Sequence, residues 1–392
     1  MSAPDDVKHK VAGTVDRLAD ELEALSHKIH DNPELCFNEE KAHAWLTEFL
    51  EKHGAKVERG VGGLPTAFRA TIEGSGAGPT VAIMAEYDAL PSIGHACGHN
   101  VIATSGAGAG AALAAVRDAL PAGRIQVIGT PAEEGGGGKV KLINGGVFER
   151  VDVAMMIHGF DRWILHQDLL GIVRVGFEFA GKAAHASADP WEGVNALDAV
   201  IQTFNNVSML RQQIRPDARI HGIVTHGGAA PNIIPEMAAC TFYVRAAKLD
   251  YMWELHKRVL ACAEGAAKAT GCTVTVIDKE APYEPLKRND TLLGLFRANM
   301  TSVGAQESPA PDRLGSSDIG NVSQVIPAIQ PMVQIAPSGT PIHSRAFEAA
   351  AVSPMARQGM CQAAKTMAMT TLDLLADPGL LKRARAEFDA AK

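Results

Sequence analysis

The stretch Gly94-His95-Ala96-Cys97-Gly98-His99-Asn100 puts two imidazoles and a thiol within five residues. Thiolate and neutral imidazole are the donors that borderline divalent ions such as Zn²⁺ select. Cys97 and His99 stand two apart, so an extended loop aims both side chains to one side. Taken alone, the cluster has an ordinary reading as a buried cysteine and a hydrogen-bonded histidine. Three other stretches turn the argument. Glu133 and Glu134 precede a run of glycines, His158 sits in Met155-Met156-Ile157-His158-Gly159, and His343 in Pro341-Ile342-His343-Ser344. Each follows an apolar, strand-like run: 81–85 for the Cys/His loop, then 125–129, 155–157 and 331–335. In an open α/β sheet such strand ends converge on one crevice. Together they read as one metal centre.

Amide hydrolysis needs an activated water and a polarised carbonyl, and a bound divalent ion supplies both. In an extended loop Glu133 and Glu134 point apart. Glu134 would face the cation and Glu133 the water, taking its proton and returning it to the leaving amine. The competing reading of Glu-Glu is a solvated acidic loop. The glycines after the pair permit close backbone approach. They do not form a phosphate loop, because the Gly-Lys-Ser/Thr ending is missing.

The elements that must position these groups follow from periodicity. Val11, Val15, Leu18, Leu22 and Leu25 form one stripe of a helix over 7–32, which Asn32-Pro33 ends. Asn38 is expected to cap a second helix stopping near Gly54. His9, His27, His30, His43 and His53 read as solvated helix residues. Residues 100–118, rich in Ala and Gly, read as a buried helix opening at the site. From about 173 the pattern becomes strand 173–179, helix 191–211, strands 219–226 and 238–245, helix 250–270 and strand 272–277. That βαββαβ order is the ferredoxin-like pattern. The expected fold class is α/β, a catalytic α/β sandwich (1–172 and 289–392) with the βαββαβ lid or dimerisation domain (173–288) inserted. After it come a helix at 292–300, a strand at 326–335 and a long helix at 350–375.

Composition narrows the class. A chain of 392 residues with 46% hydrophobic content has ample material for a globular core. No apolar run of about 18 residues is present, so a membrane partner is not expected. The start of the chain lacks a basic region and an apolar core, so no secretory signal is expected. Six scattered cysteines form no disulfide framework, which points to a reducing cytoplasm. The net charge of −7 argues against a nucleic-acid partner.

The motifs, placed in order, resemble the di-metal amidohydrolase family of aminoacylases, indole-acetyl-amino-acid hydrolases and glutamate carboxypeptidases. The resemblance is to its p-aminobenzoyl-glutamate hydrolase and β-alanyl-lysine dipeptidase branch. It rests on Ala89-Leu90-Pro91, His95 to Asn100, Pro131 to Lys139, His158-Gly159, Ala184-His185-Ala186-Ser187, Gly227 to Pro235, Gly315 to Asp318 and His343-Ser344. It implies two divalent ions, Zn²⁺ or Mn²⁺, on Cys97, His99, Glu134, His158 and His343, with Glu133 as general base. It implies a small-molecule amide substrate: an N-acyl or N-aminobenzoyl amino acid or an unusual dipeptide. The alternative is deamination or deacylation of another small metabolite, because the fold does not select the leaving group. It implies a homodimer in which His185 reaches the other subunit's site to stabilise the oxyanion. Asn232 and Arg245 match positions that hold the substrate's carbonyl or carboxylate, for which the arginine fork is suited. His221 and His226 flank the same strand pair, and Ser338-Gly339 could offer backbone donors to a carboxylate. Asp88 and Asp318 are expected to orient ligating histidines. Two positions depart from the pattern. Glu86-Tyr87-Asp88 stands where many relatives carry His-x-Asp, and Asn100 where many carry Asp. A usual histidine ligand is therefore absent, and Cys97 and His99 are expected to compensate.

Overall fold

The structure, a computed structural model, describes residues 3–277, 280–311 and 315–391. Contacts divide the chain into two units, Met1–Gln167 with Leu286–Lys392, and Asp168–Pro285. The first unit begins with α1 (Asp5–His30), α2 (Glu40–Lys52), β1 (Lys56–Arg59), β2 (Phe68–Glu73), β3 (Thr80–Glu86) and α3 (His99–Ala114). It continues with β4 (Arg124–Thr130), α4 (Gly138–Asn144), β5 (Val153–Met155) and β6 (His158–Phe160). The second unit runs β7 (Gly171–Ala180), α5 (Ala196–Leu210), β8 (Arg219–His226), β9 (Met237–Ala246), α6 (Leu249–Thr270) and β10 (Thr273–Ile277). The chain then returns through α7 (Asp290–Ser302), α8 (Ile319–Val325), β11 (Ala328–Ile329) and β12 (Met332–Gln334). It finishes with α9 (Arg345–Ala350), α10 (Pro354–Ala376) and α11 (Pro378–Ala390).

In the first unit the main sheet has the order β1-β2-β4-β3-β5-β11. β3 lies at its centre, parallel to both β4 and β5. Every residue of β3 is buried, as expected for a parallel strand covered on both faces. The strand is apolar through Ala85 and closes on Glu86. α3 is buried along its whole length and packs against β3, α1 and α10. Its run of Ala and Gly fits that position, since close-packed neighbours on all sides leave no volume for larger side chains.

Three local expectations are corrected. The single strand at 326–335 is two short strands in different sheets, β11 beside β5 and β12 beside β6. Pro331 lies between them and has no N–H to continue a ladder. Asn38 does not cap α2. The residue before the helix is Glu39, which makes no capping bond. The Glu34 carboxylate caps instead, accepting from Lys41 N–H at 2.9 Å and Ala42 N–H at 3.0 Å, and so satisfies donors the first turn leaves open. Of the five N-terminal histidines only His9 is exposed, and His27, His30, His43 and His53 are half-buried.

The second unit is a four-stranded antiparallel sheet of order β10-β7-β9-β8, the ferredoxin-like arrangement. Alternate residues Val173, Val175, Phe177 and Phe179 of β7, with Cys240, Phe242 and Val244 of β9, form its core against α5 and α6. Asn195 caps α5 by accepting from the Leu197 and Asp198 N–H groups. β8 is an edge strand, on which Ile223 is 66% and Val224 48% exposed.

Candidate metal centre

The loop after β3 is a series of turns rather than an extended strand. Gly98 adopts the left-handed conformation, with φ of 78°, and His99 is the first residue of α3. A Cβ on Gly98 would fall 2.6 Å from Ile335 Cδ1, so glycine is required there for both space and conformation. Cys97 and His99 converge because a tight turn joins them, not because of strand alternation. The two glutamates differ from expectation in the same way. Ala132 has φ of 62° and Glu133–Gly136 form a turn, so both carboxylates reach one cluster instead of pointing apart. The fully buried Glu39 carboxylate braces this turn, accepting from Ala132 N–H, Phe37 N–H and Thr66 Oγ1, each at 2.9 Å. On its far side, a Cβ at Gly138 would meet the Pro131 carbonyl oxygen at 1.7 Å, so α4 can begin there only with glycine. The His343 N–H donates to Ala96 O at 2.8 Å, which ties the last ligand loop to the first.

The five expected ligands come together. Cys97 Sγ is 3.4 Å from His158 Nε2 and 3.3 Å from His343 Nε2. Glu134 Oε1 is 3.3 Å from His343 Nε2 and 3.9 Å from His99 Nε2. Three groups have donor atoms within 4.8 Å of one another: Cys97–His99–His158, Cys97–Glu134–His343, and Glu86–His99–Glu133. Donor atoms about 2.0–2.3 Å from one ion, at angles between square and tetrahedral, lie about 3.0–3.7 Å apart; the Cys97–His158, Cys97–His343 and Glu134–His343 separations fall in that range, and the Glu134–His99 separation lies outside it. The imidazoles are oriented for it. His99 Nδ1 donates to Asp88 O at 2.8 Å and His158 Nδ1 to Gly159 O at 2.8 Å, which leaves each Nε2 facing the cluster.

Burial supports the fit. His99 Nε2, Glu86 Oε1 and Glu134 Oε1 are buried without a hydrogen-bond partner, a costly arrangement unless a cation sits among them. Burial and the nearby Glu134 charge push the Cys97 thiol well up, and a bound cation is the partner that reverses this. Burial holds His158 down, in its neutral, ligating form. Burial would raise the Asp88 carboxyl, but the His99 hydrogen bond and charge and the Glu133 and Glu134 N–H groups outweigh it and hold it at about 2. Glu133 is pushed well above the usual carboxylate range, first by burial and then by the Glu86, Glu134 and Asp318 charges.

Other expected residues fall in different places. Gly339 N–H donates to Asp161 Oδ2 at 2.6 Å, so the donor expected for a substrate carboxylate is already spent on a protein carboxylate. Asp318 does not orient a histidine. It takes both the backbone N–H of Lys139, at 2.9 Å, and its ammonium, at 2.6 Å. Asn100 donates to Ser26 Oγ and Ala351 O. Glu86, Lys139 and Glu39 have no site role assigned from the sequence, yet all three are fully buried at this centre.

Within the second unit His185 is exposed, and its Nδ1 accepts from the Ser187 and Ala188 N–H groups at 3.3 Å. The ring proton is therefore on Nε2, which is presented as a donor. Asn232 lies beside it, its carbonyl oxygen accepting from Ala186 N–H at 3.0 Å. Arg245 Nε–H donates to His221 Nε2 at 3.3 Å. His221 stacks edge-on against Tyr243, and both line a cavity of about 360 Å³ with Thr225 and Thr241. Exposed His226 ends β8.

The profile of peptidase family M20/M25/M40 matches residues 82–358. The Xaa-Arg dipeptidase of Mus musculus is 40% identical over 97% of this chain and 92% of its own length. A p-aminobenzoyl-glutamate hydrolase chain of Escherichia coli K12 is 30% identical over 93% of this chain and 91% of its own length. Among solved structures, a dinuclear metal binding peptidase of Bacillus subtilis superposes with a TM-score of 0.70 at 21% identity, covering 92% of this chain and 99% of that one. Among the described residues no helix is long and apolar enough to cross a membrane.

Proposed function

The chain belongs to the M20/M25/M40 peptidase family and is a metal-dependent hydrolase, and from that premise we propose that it is a dipeptidase for dipeptides with a basic C-terminal residue. The observation that carries the substrate class is the 40% identity to the mouse Xaa-Arg dipeptidase over nearly the whole of both chains. The chemistry rests on the ligand cluster with Glu133 beside it.

Cys97, His99, Glu134, His158 and His343 hold two divalent cations, Zn²⁺ or Mn²⁺. A cation pair so held supplies an acidified water and a polarised carbonyl. Glu133 takes the water proton on its carboxylate and delivers it to the leaving amine, a role its buried, upward-shifted carboxyl suits. Arg245, its Nε held by His221, binds the substrate carboxylate, and Asn232 the carbonyl.

His185 donates from Nε2 to the oxyanion in the site of the partner subunit of a homodimer, for which the exposed β8 edge is a pairing surface. Removing such a donor costs about 10²–10³ in kcat. Mixing His185→Ala with Glu133→Gln subunits tests the arrangement. A hybrid dimer has one complete site, so random re-association is expected to restore about a quarter of wild-type activity. No recovery in demonstrated hybrids would place His185 in its own subunit's reaction.

The substrate is tested by turnover of Xaa-Arg and Xaa-Lys dipeptides, neutral dipeptides, p-aminobenzoyl-glutamate and N-acetyl amino acids, each with metal and with chelator. The expected result is metal-dependent cleavage with kcat/KM for Xaa-Arg and Xaa-Lys at least about tenfold, or ~1.4 kcal/mol, above the rest. A preference for p-aminobenzoyl-glutamate would overturn the dipeptide assignment. Undiminished turnover in fully metal-free protein would overturn the chemistry.

A further inference from the structure

Glu86 is the last residue of β3. Its carboxylate is fully buried. Oε2 accepts from the Lys139 ammonium, which is itself fully buried and also donates to Asp318 Oδ1 at 2.6 Å. Burial would lower the Lys139 pKa, but the Asp318 and Glu86 carboxylates outweigh it, so the ammonium stays charged. Oε2 is therefore pinned by a charge-assisted bond.

The other oxygen is not. Oε1 lies 3.1 Å from His99 Nε2, and the two make no hydrogen bond. His99 Nδ1 donates to the Asp88 carbonyl, an acceptor only, which turns Nε2 toward Oε1. Both atoms are buried without a hydrogen-bond partner, a costly arrangement that a positive ion between them would relieve. Two donors each about 2.1 Å from one ion and at roughly a right angle are about 3.0 Å apart. The off-axis approach that rules out a hydrogen bond is what two ligands of one ion show.

We propose that Glu86, through Oε1, is a ligand of the cation that His99 holds, and that Lys139 is the positioning residue that clamps its other oxygen. The inference rests on the metal centre described above. It adds a sixth ligand and makes the two cation sites unequal, since Glu86 groups with His99 and Glu133 while Glu134 groups with Cys97 and His343. A carboxylate held by a buried ammonium is also a weaker electron donor than a free one, which leaves that cation the stronger Lewis acid.

The test is metal binding, not turnover. Metal-buffered titration with Zn²⁺ and Mn²⁺, read by elemental analysis of the equilibrated protein, is applied to wild type, Glu86→Gln, Glu86→Asp and Lys139→Gln. Glu86→Gln is expected to bind one cation with wild-type affinity and the other at least about tenfold more weakly. Glu86→Asp keeps the charge and withdraws the oxygen by one methylene, and is expected to weaken the same cation. It decides the matter if the glutamine variant does not fold. Lys139→Gln frees Oε2 and is expected to change the affinity for that cation alone. Unchanged affinities for both cations in the folded Glu86 variants would overturn the assignment. A wild type that takes up no divalent cation would instead overturn the metal-dependent reading of the site.

Discussion

Glu133→Gln is expected to lower kcat by about three orders of magnitude while the protein keeps its full complement of metal. General acid-base catalysis by one positioned side chain contributes about 10²–10⁴, and glutamine removes the proton-accepting function without changing shape. The structure gives two reasons to expect the upper half of that range. Glu133 is only 7% exposed, so bulk water is a poor substitute base at its position. Its carboxyl is raised by burial and then by Glu86, Glu134 and Asp318, which brings its basicity toward that needed both to accept a proton and to release it to an amine. In its proposed role Glu133 acts on the water and the leaving nitrogen, so KM should move little and kcat/KM should fall with kcat. Steady-state kinetics beside elemental analysis reads both quantities. A folded variant with metal bound and kcat within tenfold of wild type would remove Glu133 from proton transfer. Loss of a cation instead would make it a ligand.

The donors of this centre were legible because each lies near the end of an apolar run, and alternating or apolar runs declare strands. Cys97, His99, Glu134, His158 and His343 needed only the rule that parallel strands deliver their ends to one edge. Their local geometry was not legible. Extended loops were expected around Cys97 and around the two glutamates, and the structure has turns set by Gly98 and by Ala132 at φ of 62°. A positive φ at alanine leaves no compositional trace, because tertiary bonds such as Glu39 to the Ala132 N–H impose it.

The buried charges behind the donors were the least legible. Lys139 is 53 residues from Glu86 and 179 from Asp318, and a lysine at the end of a glycine run reads as solvent-facing until the fold encloses it. Base rates for lysine and aspartate favour the surface, and here the pair, with Glu86, is fully buried. The same logic explains why Asp318 was assigned to a histidine and found on a lysine. Sequence order shows that a carboxylate is near the site, but not which cation it answers. The inserted βαββαβ unit was far more readable, because Val173 to Phe179 and Ala238 to Val244 keep strict alternation and each element is long enough to declare its period.

Cys97→Ala should weaken both cations at once, which no other single ligand change should do. Cys97 Sγ belongs both to the group with His99 and His158 and to the group with Glu134 and His343. It stands within 3.4 Å of His158 Nε2 and 3.3 Å of His343 Nε2, a position from which one thiolate would serve two sites. Outer partners of metal ligands are worth about ten- to a hundredfold in affinity. A direct and shared ligand should exceed that for each ion. His158→Ala is the internal control, since it removes a donor from one group only and should weaken one cation. In wild type the thiol is held in its neutral form by burial and the Glu134 charge until a cation displaces the proton. Metal uptake should therefore release a proton that Cys97→Ala does not release. Calorimetric titration in buffers of different ionisation enthalpy counts that proton, and elemental analysis counts the ions. A folded Cys97→Ala variant that binds two cations as tightly as wild type, with the same proton release, would show that the two sites do not share this sulfur.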